Sequence, residues 1–197
     1  MNSTSTSTMI LVVILVVAAA AALVWVYVDR RRQSLRLKTR FGAEYGRTVR
    51  QLGDQARAEA ELRKREARVA KFTIRPLTSE EAARFSQAWR RLQGRFVDNP
   101  KGAVAEADRL VTELMTARGY PMSDFERRAS DISVDHPAVV DAYRAAQAIA
   151  VKDAHNAADT EELRTAIVHY RALFADLLDA PAAREADSPQ HRLGVQR

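Results

Sequence analysis

The sequence predicts an all-α protein with an N-terminal transmembrane helix, a charged helical spacer and a small antiparallel helical bundle. Three observations support this prediction. A long apolar run lies within the first 28 residues, apolar residues recur at helical spacing further on, and glycine and proline are scarce, with seven and six among 197 residues. This length suits one anchor and one soluble domain, because single domains usually take about 100 to 200 residues.

Composition argues against several classes of site. The chain has no cysteine, so disulfides, thiolate zinc sites and cysteine nucleophiles are impossible. The motifs GxGxxG, GxxxxGK[ST] and GxSxG do not occur, and the four histidines do not fall at metal-ligand spacing. Basic residues beyond position 60 are nearly balanced by acidic ones, which argues against a nucleic-acid partner. The sequence therefore predicts no cofactor, no metal site and no catalytic residue.

Residues 9–28 form the predicted membrane anchor. They read MILVVILVVAAAAALVWVYV, without a charge, and a helix of 20 residues spans a hydrocarbon core about 30 Å thick. Trp25 and Tyr27 lie near one end, where aromatic rings favour the membrane interface. The alternative is a signal peptide cleaved near residues 18–22, but residues 1–8 lack the basic residues that signal peptides carry. We expect the anchor to be retained.

A basic cluster follows the anchor and predicts its orientation. By the positive-inside rule, residues 1–8 form a short extracytoplasmic tail, and the rest of this single-pass protein lies on the cytoplasmic side of the inner membrane. The cluster can also contact anionic headgroups of the lipid bilayer, although a role in topology is sufficient to explain it. Its members are Arg30, Arg31, Arg32, Arg36, Lys38 and Arg40.

Residues 29–77 are predicted to be a basic juxtamembrane segment followed by a charged helical spacer. In residues 54–71 more than half of the side chains are charged, and pairs such as Glu59 with Arg63 fall at helical neighbour spacing. The apolar content is too low for a buried helix. This composition predicts an exposed helix, a stalk or one strand of a coiled coil. Pro76 then ends the predicted helix.

Residues 78–180 are predicted to fold as the antiparallel bundle. Thr78 with Glu81 forms a capping box at the first helix, and Asp159 with Glu162 starts the last one. Apolar residues recur at spacings of three and four along the segments between these caps and the turns. The predicted core residues are Phe85, Trp89, Leu92, Phe96, Val104, Ala107, Val111, Leu114, Val140, Tyr143, Ala146, Leu163, Ile167, Tyr170, Phe174 and Leu177.

Two further predictions concern irregular stretches. Pro137 is expected in the first turn of a helix, with Asp135 or His136 as the N-cap. Residues 181–197 are polar and without pattern, so we expect a disordered tail.

Residues 40–49, RFGAEYGRTV, allow two interpretations. In the first, they form a helix bend with one apolar side, because glycine lowers helix propensity. In the second, they form a recognition surface near the membrane, whose basic residues hold a phosphate or a carboxylate. The residues of that possible partner contact are Phe41, Glu44, Tyr45 and Arg47.

The chain contains a series of motifs that resembles a known family. RFGAEYGRTV is followed in order by RPL (75–77), FVDNP (96–100), RGYP (118–121) and SVDHP (133–137). Together they resemble a family of bacterial proteins of unknown activity with one N-terminal membrane segment and a helical cytoplasmic region, from residue 40 to about 178. That family more often reads RFGPEYDRTV, so Ala43 and Gly46 depart from its pattern, as does Asn99 where aspartate is common. The resemblance implies the architecture and carries over no activity.

The expected function is protein–protein interaction by a membrane-anchored cytoplasmic module, as a scaffold or a small subunit of a membrane assembly. Its expected partners are the lipid bilayer and a protein whose identity does not follow from the sequence. The alternative is a small-ligand-binding or enzymatic helical domain that uses Asp135 and His136 in a pocket. We favour a non-enzymatic module, because cap and turn chemistry explains both residues without a reaction.

Overall fold

The computed structural model of the chain describes the backbone of residues 3–179 and the side chains of residues 15 and 17–179. Within that range the chain forms eight helices and no strand, which confirms the all-α prediction. The helices are α1 Ser3–Phe41, α2 Ala43–Leu52, α3 Gln55–Val69, α4 Ser79–Arg95, α5 Pro100–Ala117, α6 Phe125–Asp135, α7 Val140–Ala154 and α8 Thr160–Asp179. The predicted tail 181–197 and the side chains of the predicted tail 1–8 lie outside the described residues.

The chain divides into two compact units, Met1–Arg40 and Phe41–Arg197. In the first unit, α1 carries uncharged side chains that are exposed at every position of residues 17–28. Among the side chains that the structure describes, no helix is both long and apolar enough to cross a membrane. The predicted anchor, residues 9–28, lies partly outside them, since the side chains of 9–14 and 16 are not described.

The second unit begins with a complete break between helices. Gly42 follows the last residue of α1 and has φ 50° and ψ −124°, a combination that residues with a Cβ rarely adopt. At the other end of α2, Gly53 has φ 68° and donates its N–H to the carbonyl of Val49 at 2.9 Å. A glycine in this left-handed conformation is a common way for a helix to end. The bend interpretation of RFGAEYGRTV therefore corresponds to a real break in the helix.

The helix α3 differs from the exposed spacer that composition predicts. It packs against α2 and α6, and Ala58, Leu62 and Val69 are buried. These residues lie on one face of the helix, with only about one buried apolar residue in each helical turn. Because the buried face contains so few apolar residues, the apolar content of residues 54–71 is low, and their sequence resembles that of a solvent-exposed helix.

The hydrophobic core of the second unit lies in α4 to α8. The helix α8 packs against α5 and α7, and α4 packs against α5. Trp89 stacks on Phe174 with ring centroids 4.6 Å apart, which joins α4 to α8. All of the predicted core residues are buried except Phe96, which is half-buried and packs against the others. The predicted helical bundle is confirmed.

Two predicted caps are present. Thr78 accepts a hydrogen bond from the N–H of Glu81 at 3.1 Å, and the Glu81 carboxylate accepts one from the N–H of Thr78 at 2.9 Å. Asp159 and Glu162 exchange the same pair of bonds at 2.9 and 2.8 Å. These bonds satisfy backbone donors that the first helical turn leaves free.

The prediction for Pro137 was wrong. Asp135 is the last residue of α6, and His136 is its C-cap, whose N–H bonds to the carbonyl of Ile132 at 2.8 Å. The helix α7 begins only at Val140, without a side-chain cap. The physical reason is that a proline disfavours helical geometry in the residue before it, so Pro137 ends one helix instead of starting the next.

Candidate functional site

Glu44 has a completely buried carboxylate on the first turn of α2. A helix N-terminus favours a negative charge, but an isolated charge in a protein interior is costly and requires partners. Glu44 Oε1 accepts hydrogen bonds from Arg65 Nη1 of α3 at 2.9 Å and from Arg144 Nη2 of α7 at 3.2 Å. Arg47 Nε lies 3.9 Å from Glu44 Oε2. One buried acid thus joins α2, α3 and α7.

Arg144 connects this buried cluster to the surface. Its side chain is only 9 % exposed, and its Nη1 donates a hydrogen bond to Glu126 Oε2 of α6 at 2.6 Å. The Glu126 side chain is 70 % exposed. Because the Glu126 carboxylate is largely solvated, it can turn away from Arg144 at a lower desolvation cost than a buried acid would. The inner partner, Glu44, is held by the fold.

A groove of about 760 Å³ opens beside Arg144. It lies between α2, which contributes Arg47, the first residues of α6, and one side of α7. Its volume falls within the range of about 300 to 1,000 Å³ that is typical of ligand-binding clefts. The apolar part of its lining consists of Phe125, Ala145, Ala148 and Val151.

The four residues of the predicted partner contact occupy different environments. Phe41 and Glu44 are completely buried, and Tyr45 is buried with its hydroxyl donating to Glu59 Oε1 at 2.8 Å. Arg47 is partly exposed and lines the groove. The structure therefore brings Arg47 to the surface of the cluster and places the other three in the interior. The six basic residues after the predicted anchor are all exposed on α1.

Sequence reasoning missed Arg65 and Arg144 as partners of Glu44. They lie 21 and 100 positions from Glu44 along the chain. No local spacing rule connects residues so far apart, since helical neighbours lie three or four positions apart. A weak signal is nevertheless present, because both arginines fall on the apolar faces of their helices.

Asp135 and His136 hold helix ends together. Tyr120, just after α5, donates its hydroxyl to Asp135 Oδ2 at 3.0 Å, and His136 Nδ1 is hydrogen-bonded to Asp176 near the end of α8. Burial and the charge of Asp135 raise the pKa of Tyr120, so its hydroxyl remains a donor. Arg118 donates to the carbonyl of Leu177 at 2.8 Å, and burial lowers the pKa of Arg118. The ends of three helices therefore meet here.

The motifs RPL and RGYP meet in the same region. Gly119 has φ 94°, and a Cβ at this position would lie 2.2 Å from the carbonyl oxygen of Thr73. Arg75 donates its N–H to the carbonyl of Arg118 at 3.0 Å. Its side chain pairs with Glu81 at 2.6 Å, and the hydrogen bonds from Arg75 lower the pKa of Glu81 to about 2. The segment before α4 is thus fixed across the end of α5.

The cluster around Glu44 combines a buried acid, an arginine that it holds in place and an adjacent groove. Among the described residues, no group of three or more histidine, aspartate or glutamate side chains is placed to hold a metal ion. The distinctive feature is an arginine oriented by a buried acid at the edge of a partly apolar groove. Comparison of the chain with protein-family models, curated proteins and solved structures found no match. The candidate site is therefore defined by its own geometry.

Proposed function

We propose that this protein is a membrane-anchored interaction module. In this proposal α1 crosses the inner membrane once, and the unit formed by α2 to α8 binds a partner protein in the cytoplasm. The main observation in support is the uncharged stretch of α1, because every side chain of residues 17–28 is exposed. Exposure of apolar surface to water costs about 25 cal/mol per Å², so this stretch is more stable in an apolar environment that shields it from water. The 20 uncharged residues, 9–28, match the thickness of a bilayer core.

The basic residues that follow support the proposed orientation. Arg30, Arg31 and Arg32 come directly after the uncharged run, whereas residues 1–8 contain no charged side chain. An excess of arginine and lysine marks the cytoplasmic end of a membrane helix. The N-terminus would therefore lie outside the cytoplasm and the second unit inside it.

The second unit supports a role in binding. Each buried ionisable side chain described above has at least one hydrogen-bond partner, and the ion pair of Arg68 with Asp131 at 2.6 Å fixes α3 on α6. The tyrosine hydroxyl of Tyr170 is likewise bonded to Asp108 at 2.9 Å. Paired groups of this kind hold a framework together, and the groove beside Arg144 offers a surface on it. Anchoring such a surface to the membrane raises its effective concentration toward other membrane-held proteins.

The absence of native cysteine allows a direct test of anchoring and orientation. We expect full-length protein to remain with the membrane after alkaline extraction. A Ser5→Cys variant should react with a membrane-impermeant maleimide in intact cells, whereas Val97→Cys, which is exposed in the second unit, should react only after lysis. Protein in the soluble fraction, or the reverse labelling pattern, would contradict the proposal.

The basic cluster can be tested in the same assay. Replacing Arg30, Arg31 and Arg32 with alanine should give a mixed orientation, with both cysteine positions partly labelled in intact cells. The matched control replaces three exposed arginines of the second unit, Arg90, Arg91 and Arg127. Equal labelling patterns in the two triple variants would show that these charges do not set the orientation.

A further inference from the structure

We infer that the groove beside Arg144 is the docking site for the partner protein, and that the docked segment is a helix with one carboxylate and an apolar face. The carboxylate would bind Arg144 and Arg47. The apolar face would lie on Phe125, Ala148 and Val151. This inference rests on the proposed interaction module and specifies its recognition chemistry.

Arg144 is already oriented for such a contact. Glu44 holds one edge of its guanidinium from the interior at 3.2 Å, and the other edge, at Nη1, faces an exposed carboxylate at 2.6 Å. Arginine favours carboxylates because its planar donors match their geometry. A side chain held in place before binding loses little conformational entropy on binding. The buried acid thus prepares an arginine for a second carboxylate.

Glu126 occupies the position that the partner's carboxylate would take. Glu126 lies 18 positions before Arg144 along the chain and is the more exposed member of the pair. If Glu126 turns into solvent, the positive charges of Arg144 and Arg47 face the groove, and Arg144 no longer has Glu126 as its partner. Arg47 is 35 % exposed and lies 3.9 Å from Glu44, too far for a hydrogen bond, so it can donate to the same ligand. Asp141 also lines the groove and would repel an acid placed beside it.

The apolar lining indicates a helical occupant. Ala145, Ala148 and Val151 are spaced by three residues, so they follow one another along α7. From Asp141 to Val151 the lining extends about 15 Å at 1.5 Å per residue, the length of two to three helical turns. Alanine side chains let a second helix approach closely, and helices in grooves are held by apolar residues at such spacings.

The test uses the full-length protein in the cells that express it. A photo-crosslinking amino acid is placed at Ala148 in the groove or, as the control, at Val168 of α8. We expect a protein adduct from Ala148 and none from Val168. Mass spectrometry should map the adduct to a segment with an aspartate or glutamate beside apolar residues. Changing that acid to its amide should reduce the Ala148 adduct about tenfold, as loss of a charged hydrogen bond implies.

Two matched variants then probe the groove itself. Val151 and Val168 are comparably exposed, at 50 % and 60 %, so a glutamate at either position is compatible with folding. Val151→Glu should reduce the Ala148 adduct about tenfold, through repulsion and lost apolar contact, whereas Val168→Glu should leave it unchanged. Glu126→Gln should increase the adduct several-fold, because it removes the competing carboxylate. The amounts of each variant in the membrane serve for normalisation.

The outcomes separate this inference from the proposed function. An adduct at Val168 but not at Ala148 would overturn the groove and leave an interaction module with another surface. An adduct with lipid or with a second copy of this chain would overturn the choice of occupant. A reduced adduct in Glu126→Gln would overturn the role of the carboxylate. Adducts at neither position, nor at other exposed sites of the second unit, would overturn both proposals.

Discussion

A carboxylate can remain charged inside a protein only if the surrounding atoms replace the water that it loses. Glu44 has this support from Arg65 at 2.9 Å, Arg144 at 3.2 Å and the first turn of its own helix. Removal of the acid leaves two largely buried arginines, each with only a more exposed carboxylate: Glu61 for Arg65 and Glu126 for Arg144. Breaking such a buried pair usually costs more than the pair contributed, because the remaining charge stays buried.

We therefore predict that Glu44→Ala destabilises the second unit by about 3 to 5 kcal/mol, because two buried arginines lose the buried carboxylate that they share. The control is Glu113→Ala, since Glu113 pairs with Arg109 on the surface of α5 and both side chains are mostly exposed. It should cost at most about 1 kcal/mol. Urea denaturation of residues 41–197, followed by circular dichroism, measures both values. Equal losses would show that the buried cluster adds nothing beyond a surface pair.

At the scale of elements, the connections as well as the core position the helices. The segment between α3 and α4 crosses the end of α5, where Gly119 approaches the carbonyl of Thr73. The backbone bond from Arg75 to Arg118 fixes this crossing. Any side chain at Gly119 would collide with a main-chain atom that cannot rotate away. The crossing therefore requires glycine.

We predict that Gly119→Ala destabilises the second unit by about 1 to 3 kcal/mol, from backbone strain at φ 94° and the collision with Thr73. The matched control is Gly94→Ala, because a Cβ at this position in α4 meets no atom within 4 Å. Alanine favours the helix there, so a gain of about 0.5 to 1 kcal/mol is expected. Thermal melting of both variants measures the difference. A stabilised Gly119→Ala would show that the crossing shifts freely.

At the scale of the whole molecule, α2 and α3 belong to the same compact unit as the bundle. Glu44 of α2 pairs with Arg144, and Arg68 of α3 pairs with Asp131. Arg144 and Asp131 are buried residues on the helices of the bundle. The buried residues of the hydrophobic core all lie between Phe85 and Leu177, and Phe72, Ile74 and Leu77 pack against them from the segment before α4. Most of the core and these ion pairs therefore lie in different parts of the unit.

This separation predicts the behaviour of two fragments. Residues 78–179 should be soluble and strongly helical by circular dichroism, because they contain the core. Residues 41–179 should be more stable by at least about 3 kcal/mol, because they supply partners for buried Asp131 and Arg144. They should also show a larger urea m-value, since more surface is buried. Equal stability and equal m-values would show that α3 is an independent stalk.

The sequence by itself determined the helices of the bundle, the capping boxes of α4 and α8 and most of the core. Capping boxes and three-four spacing depend on residues less than two turns apart, so they can be read along the chain. It did not reveal that α3 packs on α2 and α6, because its buried stripe is narrow. Only the tertiary structure decided the pairing of Glu44 with Arg144 and the groove beside it. That pairing spans 100 positions, and the folded path of the chain, rather than any local pattern, brings the two charges together.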